Sequence, residues 1–322
     1  VIRPLLVSPC TSDVHNVEID CLKPGRILGH EGLGEIVAVG EGVKEFQVGE
    51  IVVVPPVTPD WRTVPSQLGA HQHCAGLITG QKLSNSEDGL LAEYALIRDL
   101  DANAARIPPD VSPEGAVMAA DMLNTGLYGA ELAEVRPGDT VVVMGVGPVG
   151  LMAIAGARLR GAGRIIAIGS RKAGVELARF YGATDLVNYK EGNVERQIYE
   201  LTHKQGADCC ICAGGGTEAL GQAVAMVRWG GTVGNVNYFT TYGDLPLNNV
   251  RYGFGMGNKT IRGGECPGGR ARMEKLLALL QYGRVDPVPL ITHRFQGLDQ
   301  VETAFHLMAE KPPALVKTIV AL

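Results

Sequence analysis

The chain has 322 residues, 46% of them hydrophobic and 20% charged, with a formal net charge of −5. That length suggests about two domains of ordinary size around large buried cores, and the modest charged fraction excludes a disordered chain. The negative balance and the lack of a basic block exclude nucleic acid as the main partner. The longest uncharged run, "VVVMGVGPVGLMAIAGA", is shorter than the roughly 20 residues a membrane span needs, and Pro148 and glycines interrupt it.

No signal peptide is visible after Val1, where the chain begins without a methionine. Seven cysteines, an odd number with no regular framework, point to a reducing cytoplasm rather than a disulfide scaffold. The first 120 or so residues read as β-rich and loop-rich, with "GEIVAVG" and "GEIVVVP" as short strands bounded by glycine or proline. From Val135 the pattern changes to strand, glycine turn, helix, strand. "DTVVVMG" is a buried strand, "PVGLMAIAGARLRG" a helix, and "RIIAIGS" the next strand. "VELARFYGA" continues as a helix, "DLVNY" as a strand, and "VERQIYELTHKQG" as an amphipathic helix. "DCCICAG" is a further strand, its cysteines small apolar residues of a buried element, before the helix "ALGQAVAMV" and the strand "GTVGNVNY". This alternation predicts an α/β fold with a doubly wound parallel sheet. After "GGECPGGR", a helix from Arg272 to Leu280 and a last strand "KTIVAL" should rejoin the first domain. The expected division is 1–124, 125–265 and 266–322, the last segment returning to the first.

Between a predicted strand and a predicted helix, "MGVGPVG" places Gly145, Gly147 and Gly150 in a G-x-G-x-x-G pattern, with Pro148 and Val149 inside the turn. The first glycine allows the tight turn, the second lets the backbone approach a pyrophosphate, and the third lets helix pack on strand. Free N–H groups and the positive dipole end of the helix then face the phosphates. This is the Rossmann arrangement for a dinucleotide. An NAD site usually carries Asp or Glu about 20 residues on, at the ribose 2′-hydroxyl. Here that place reads "GSRK", Gly169, Ser170, Arg171 and Lys172. A hydroxyl and two cations suit a 2′-phosphate, which favours NADP(H).

The stretch "RILGHEGLGE" sets His30 beside Glu31 among glycines. Two adjacent candidate ligands need partners elsewhere in the chain, or the pair is only a buried polar patch. Spacing alone does not select them. Without a family match, a core cysteine, a satisfied histidine and a cap-like aspartate are the better reading of such residues.

"GHEGLGEIVAVGEGV" fits the G-H-E-x-x-G-x(5)-G-x-x-V signature of the zinc-dependent medium-chain alcohol dehydrogenases, with Gly29, His30, Glu31, Gly34, Gly40 and Val43 in register. "CTSDVH" and "ADMLNTG" are similar to segments of the tetrameric bacterial NADP-dependent secondary alcohol dehydrogenases, as are "VTPDWR", "FYGATDLVNYK", "NVNY" and "CPGGR". The resemblance covers essentially the whole chain. It implies a β-rich GroES-like catalytic domain beside the Rossmann domain, and reversible oxidation of small secondary alcohols to ketones by NADP(H). It implies one catalytic zinc held by Cys10, His30 and Asp121, with Glu31 as an exchangeable fourth ligand. Ser12 and His15 would form a proton relay by way of the cofactor ribose. Tyr189, Asn237, Tyr238 and Lys317 would line the cofactor, Lys317 at its pyrophosphate. No four-cysteine lobe is present, so no structural zinc is expected. A cytoplasmic homotetramer is the implied assembly.

The chain departs from the family in three respects. Gln81 stands near a position where those enzymes carry a pocket tryptophan, and Glu265 adds a charge near the expected pocket rim. The family also has about one hairpin before "VIRPLLVSP". Two rival readings are a zinc-free NADPH-dependent quinone or enone reductase of the same superfamily and a non-enzymatic NADPH-binding protein.

Overall fold

A computed structural model describes residues 1–239, 243–247 and 253–322. The chain divides into two compact units, one made of Val1–Asn124 and Glu265–Leu322, the other of Thr125–Gly264.

In chain order the strands are β1 (Ile2–Val7), β2 (Gly32–Ile36), β3 (Ile51–Val54), β4 (Ala105–Arg106), β5 (Thr140–Met144), β6 (Arg164–Ile168), β7 (Asp185–Val187), β8 (Ala207–Cys212), β9 (Val227–Asn235), β10 (Thr260–Gly263), β11 (Ile291–Gln296) and β12 (Lys317–Ala321). The first unit carries the sheet β11-β12-β1-β2-β3-β4. Its β1–β2, β2–β3 and β3–β4 pairs are antiparallel, and β12 pairs antiparallel with β1, so the last strand returns to the first unit. Strand β1 carries Pro4 and the β1–β2 register slips between Pro4 and Leu6, the irregularity a proline imposes by removing a ladder donor. That proline hides β1 from a reading based on unbroken apolar runs.

The same unit shows why "RILGHEGLGE" needs its glycines. Gly29 lies at φ +95°, where L side chains rarely go, and a Cβ on Gly34 would sit 2.6 Å from the Arg3 carbonyl oxygen. The chain passes close to β1 and delivers His30 and Glu31 into the interior.

The second unit carries the parallel sheet β10-β9-β8-β5-β6-β7, with every strand pair parallel. The helices Pro148–Leu159, Lys172–Tyr181, Val194–Leu201 and Ala219–Met226 alternate with its strands. This is the doubly wound α/β arrangement expected, with strands that read as near-continuous Val and Ile because both faces are covered. Val142, Ile166, Cys210, Cys212 and Val233 belong to one fully enclosed cluster. Burial pushes the Cys209 and Cys212 thiols up to about 12, so they behave as small apolar groups. The helix expected over Arg272–Leu280 spans Arg270–Gln281, and the helix Val301–Glu310 joins it in the first unit.

Ile166 is fully buried on β6. Ile166→Ala is expected to cost about 2–5 kcal/mol in urea unfolding monitored by circular dichroism; a cost below about 1 kcal/mol would contradict this packing.

Candidate metal centre and nucleotide turn

Three separate backbone devices bring the donor set together. Cys10 stands in extended backbone immediately before the helix Thr11–Glu18 and makes no capping hydrogen bond, which leaves its sulfur uncommitted to the helix end. His30 and Glu31 sit at the entry to β2. Asp121 lies in a single π-helical turn, Ala119–Leu123, inserted after the Ser112-capped helix Pro113–Met118. Such a widened turn re-aims side chains and is frequent at functional sites.

Cys10, His30, Glu31 and Asp121 offer ligand atoms that all lie within 4.8 Å of one another. His30 Nε2 is 3.8 Å from Asp121 Oδ2 and 3.9 Å from Glu31 Oε1, and Cys10 Sγ is 3.9 Å from Asp121 Oδ2. Tetrahedral bonds of about 2.0–2.3 Å place donor atoms about 3.3–3.8 Å apart, so these separations are those of a zinc shell within a few tenths of an ångström. Cys10, His30 and Glu31 are buried, and the Asp121 side chain is 13% exposed.

The surroundings fit a cation. Glu31 Oε1 accepts from Lys317 Nζ at 2.7 Å, while its buried Oε2 has no hydrogen-bond partner. Burial pushes the Glu31 carboxyl up, with Lys317 pulling the other way. For Lys317 burial opposes the charge, but Cys10, Glu31 and Asp121 more than offset it and hold the ammonium above the ordinary lysine value. Burial likewise raises the Cys10 thiol, yet Lys317 and His30 outweigh it and the thiol sits below its ordinary value, toward the thiolate a metal requires. His30 Nδ1 meets Asp13 Oδ1 at 3.1 Å, and despite burial this carboxylate holds the imidazole well above its usual value. With Nδ1 engaged by a carboxylate, Nε2 is the nitrogen left to face the other donors.

The structure places the remaining expected residues as follows. Ser12 Oγ donates to Cys10 Sγ at 3.1 Å and lies 3.5 Å from His30 Nε2. His15 stands on the same helix with Nδ1 3.1 Å from Glu18 Oε2 and 26% of its side chain exposed. Lys317 departs from the expectation of a pyrophosphate contact. Its side chain is 1% exposed and ion-paired to Glu31, because β12 runs between β1 and β11 in the sheet interior.

In the second unit, Gly145 adopts φ +98°, and a Cβ on Gly150 would sit 2.0 Å from the Gly145 carbonyl oxygen. The turn therefore closes only with glycine at its third position. Gly147 caps the helix that begins at Pro148 and Val149, with no side chain occupying the cap. Gly169 and Ser170 follow β6, and Arg171 caps the next helix, its Nη2 3.5 Å from where a Cβ on Gly147 would be. Tyr189 and Tyr238 are exposed, and Asn237 Nδ2 donates to the Gly215 carbonyl at 3.1 Å.

Sequence reasoning missed Asp13. It lies inside "CTSDVH", and the only signal was a carboxylate in the same short segment as the candidate zinc ligand Cys10; its partner His30 lies 17 positions on. The role of Lys317 had no local signal at all.

Residues 1–109 match the family described as alcohol dehydrogenase GroES-like domain, and residues 148–282 match that described as zinc-binding dehydrogenase. The chain is 52% identical to the NADP-dependent isopropanol dehydrogenase of Thermoanaerobacter brockii, covering 100% of this chain and 92% of that protein. It is 51% identical, over the same shares, to the enzyme so named in Clostridium beijerinckii. Among solved structures it resembles the alcohol dehydrogenase TADH of Thermus sp. ATN1, with a TM-score of 0.86 and 31% identity over 99% of this chain and 91% of that one.

Asp13→Asn is expected to lower zinc affinity about 10–100-fold in competition with a colorimetric chelator. An unchanged affinity would remove Asp13 from the account.

Proposed function

The chain belongs to the zinc-dependent medium-chain alcohol dehydrogenases, and on that premise we propose that Cys10, His30 and Asp121 hold a catalytic zinc for NADP(H)-dependent interconversion of small secondary alcohols and ketones. The observation that carries the site is the N/S/O cluster whose ligand atoms all converge within 4.8 Å, with Asp121 Oδ2 3.8 Å from His30 Nε2 and 3.9 Å from Cys10 Sγ. When bound, the ion would supply Lewis acidity toward the alcohol or carbonyl oxygen.

The chain's own groups do the rest. Asp13 holds the His30 ring in the orientation and tautomer that leave Nε2 available. Glu31 keeps one oxygen on Lys317 and the other without a partner, which suits a ligand that binds in the resting enzyme and yields to substrate. The Ser12 hydroxyl, beside Cys10 and His30, receives the alcohol proton. His15, three residues on and so on the same helical face, is partly exposed, which suits it to exchange that proton with water. The alcohol loses one hydride to NADP⁺ and one proton to this relay, and the reverse direction returns both.

For the cofactor, the Gly145, Gly147, Pro148, Val149 and Gly150 turn accepts the pyrophosphate at the helix N-terminus. Gly169, Ser170 and Arg171 receive the 2′-phosphate, while Tyr189, Asn237 and Tyr238 line the rest. Among the described residues no helix is long and apolar enough to cross a membrane. The same reading takes the protein as a cytoplasmic homotetramer, which light scattering would report as four chains per particle.

Purified protein is expected to reduce acetone with NADPH and to leave simple quinones untouched. Quinone turnover that survives zinc removal would favour the reductase alternative, and turnover of neither substrate the non-enzymatic one. Arg171→Ala is expected to lower kcat/KM for NADP⁺ about 10–100-fold, the worth of a charge-assisted phosphate contact, while NAD⁺ changes by a few-fold at most. Equal loss with both cofactors would contradict the assignment of "GSRK".

A further inference from the structure

Glu265 opens the segment that returns to the first unit, and four contacts fix it there. Gln72 Nε2 donates to the Glu265 carbonyl at 3.1 Å, and Asn124 Nδ2 donates to Cys266 Sγ at 3.3 Å and to the Pro267 carbonyl at 2.7 Å. The Gly268 N–H reaches His71 Nε2 at 3.0 Å. Asn124 follows directly on the π-helical turn that carries Asp121, so one short stretch of backbone positions a metal-cluster carboxylate and tethers the Glu265 segment. The Glu265 carboxyl is accordingly close enough to Asp121 and His30 to feel the charge of both.

Its own situation is unusual. Both carboxyl oxygens are buried and neither has a hydrogen-bond partner. Asp13 and Glu31, the other acids with an unpartnered buried oxygen among the described residues, each have their second oxygen engaged. Burial, reinforced by Asp121 and opposed by His30, pushes the Glu265 carboxyl up to about 8. A leucine or isoleucine would fill this place at no desolvation cost, whereas a partnerless buried carboxyl is a standing penalty. Glu265 also lies outside the group whose ligand atoms converge within 4.8 Å, so it is not one more metal donor. A donor that arrives with the substrate would supply the missing partner. A hydroxyl fits better than an ammonium, since Lys317 on Glu31 and a bound dication already place cations in this cluster, and a hydroxyl can pair with the carboxyl in either protonation state.

We propose that Glu265 is a specificity-determining residue that hydrogen-bonds a second hydroxyl of the substrate, so that diols and their hydroxyketones are preferred over simple secondary alcohols. This rests on the dehydrogenase reading above. A site built around a buried polar group rejects an analogue that leaves that group unpaired, which makes the preference a property of this one side chain.

The test compares kcat/KM for 2,3-butanediol and 1,3-butanediol with that for 2-butanol in the zinc-loaded wild type, Glu265→Gln and Glu265→Leu. At least one diol should be preferred by the wild type. That preference should fall about 10–100-fold in Glu265→Leu, the range for a lost hydrogen bond to a buried polar group, and be largely kept in Glu265→Gln, whose amide still accepts. A second readout needs no turnover. The preferred diol should raise the Tm of the NADPH complex more than 2-butanol does, and Glu265→Leu should lose that difference while raising the Tm of the free protein. A diol-to-alcohol ratio that does not change in Glu265→Leu overturns this assignment alone. A wild type that oxidises neither diols nor 2-butanol overturns the dehydrogenase reading and this assignment with it.

Discussion

The first unit is organised around a cluster of buried acids that cannot all ionise without a cation among them. Cys10, Glu31 and Asp121 converge within 4.8 Å, Glu265 stands nearby, and Lys317 is the ammonium paired with them. Removing ions from water costs several kcal/mol each unless opposite charge repays it. One lysine compensates one carboxylate, and His30, held by Asp13, has Nε2 turned toward the remaining donors. A divalent cation completes the balance, and it does so in the place where the donor atoms already have zinc-like separations. This coupling makes metal affinity and stability one quantity here, since ligand deprotonation and folding are both linked to the ion.

Around that constraint the fold's local oddities find their reasons. The π-helical turn widens one helix so that Asp121 points inward. Gly34 lets the His30–Glu31 stretch press against β1, where a Cβ would meet the Arg3 carbonyl, and Gly29 does the same against Leu91. Pro4 breaks the register of β1 without breaking the sheet, because β12 closes its other edge and delivers Lys317 to Glu31. In the second unit the governing fact is steric. Gly150 meets the Gly145 carbonyl so closely that only glycine allows the turn which opens a helix N-terminus to a pyrophosphate.

The parallel sheet was legible in the chain because strands covered on both faces carry unbroken Val and Ile, and glycines punctuate every crossover. The nucleotide turn was legible for the same local reason. The first unit was less so. Its short antiparallel strands and the helix Val301–Glu310 depend on pairing between residues 1–54 and 291–322, which no window of sequence contains. The donor residues were legible as types and by family resemblance, but their convergence required the fold. Asp13 carries no reading of its own in the sequence, and Lys317 reads there as a pyrophosphate ligand, because a buried ion pair 286 positions apart leaves no trace in spacing. Glu265 was visible as a charge out of place; its lack of any partner became visible only in three dimensions.

The most direct test of the charge balance is metal analysis of the purified protein combined with thermal unfolding before and after chelation. About one zinc per chain is expected, with a fall in Tm of several degrees on its removal and recovery when zinc returns. Protein that carries no metal after zinc loading, and whose Tm does not respond to zinc, would contradict the account.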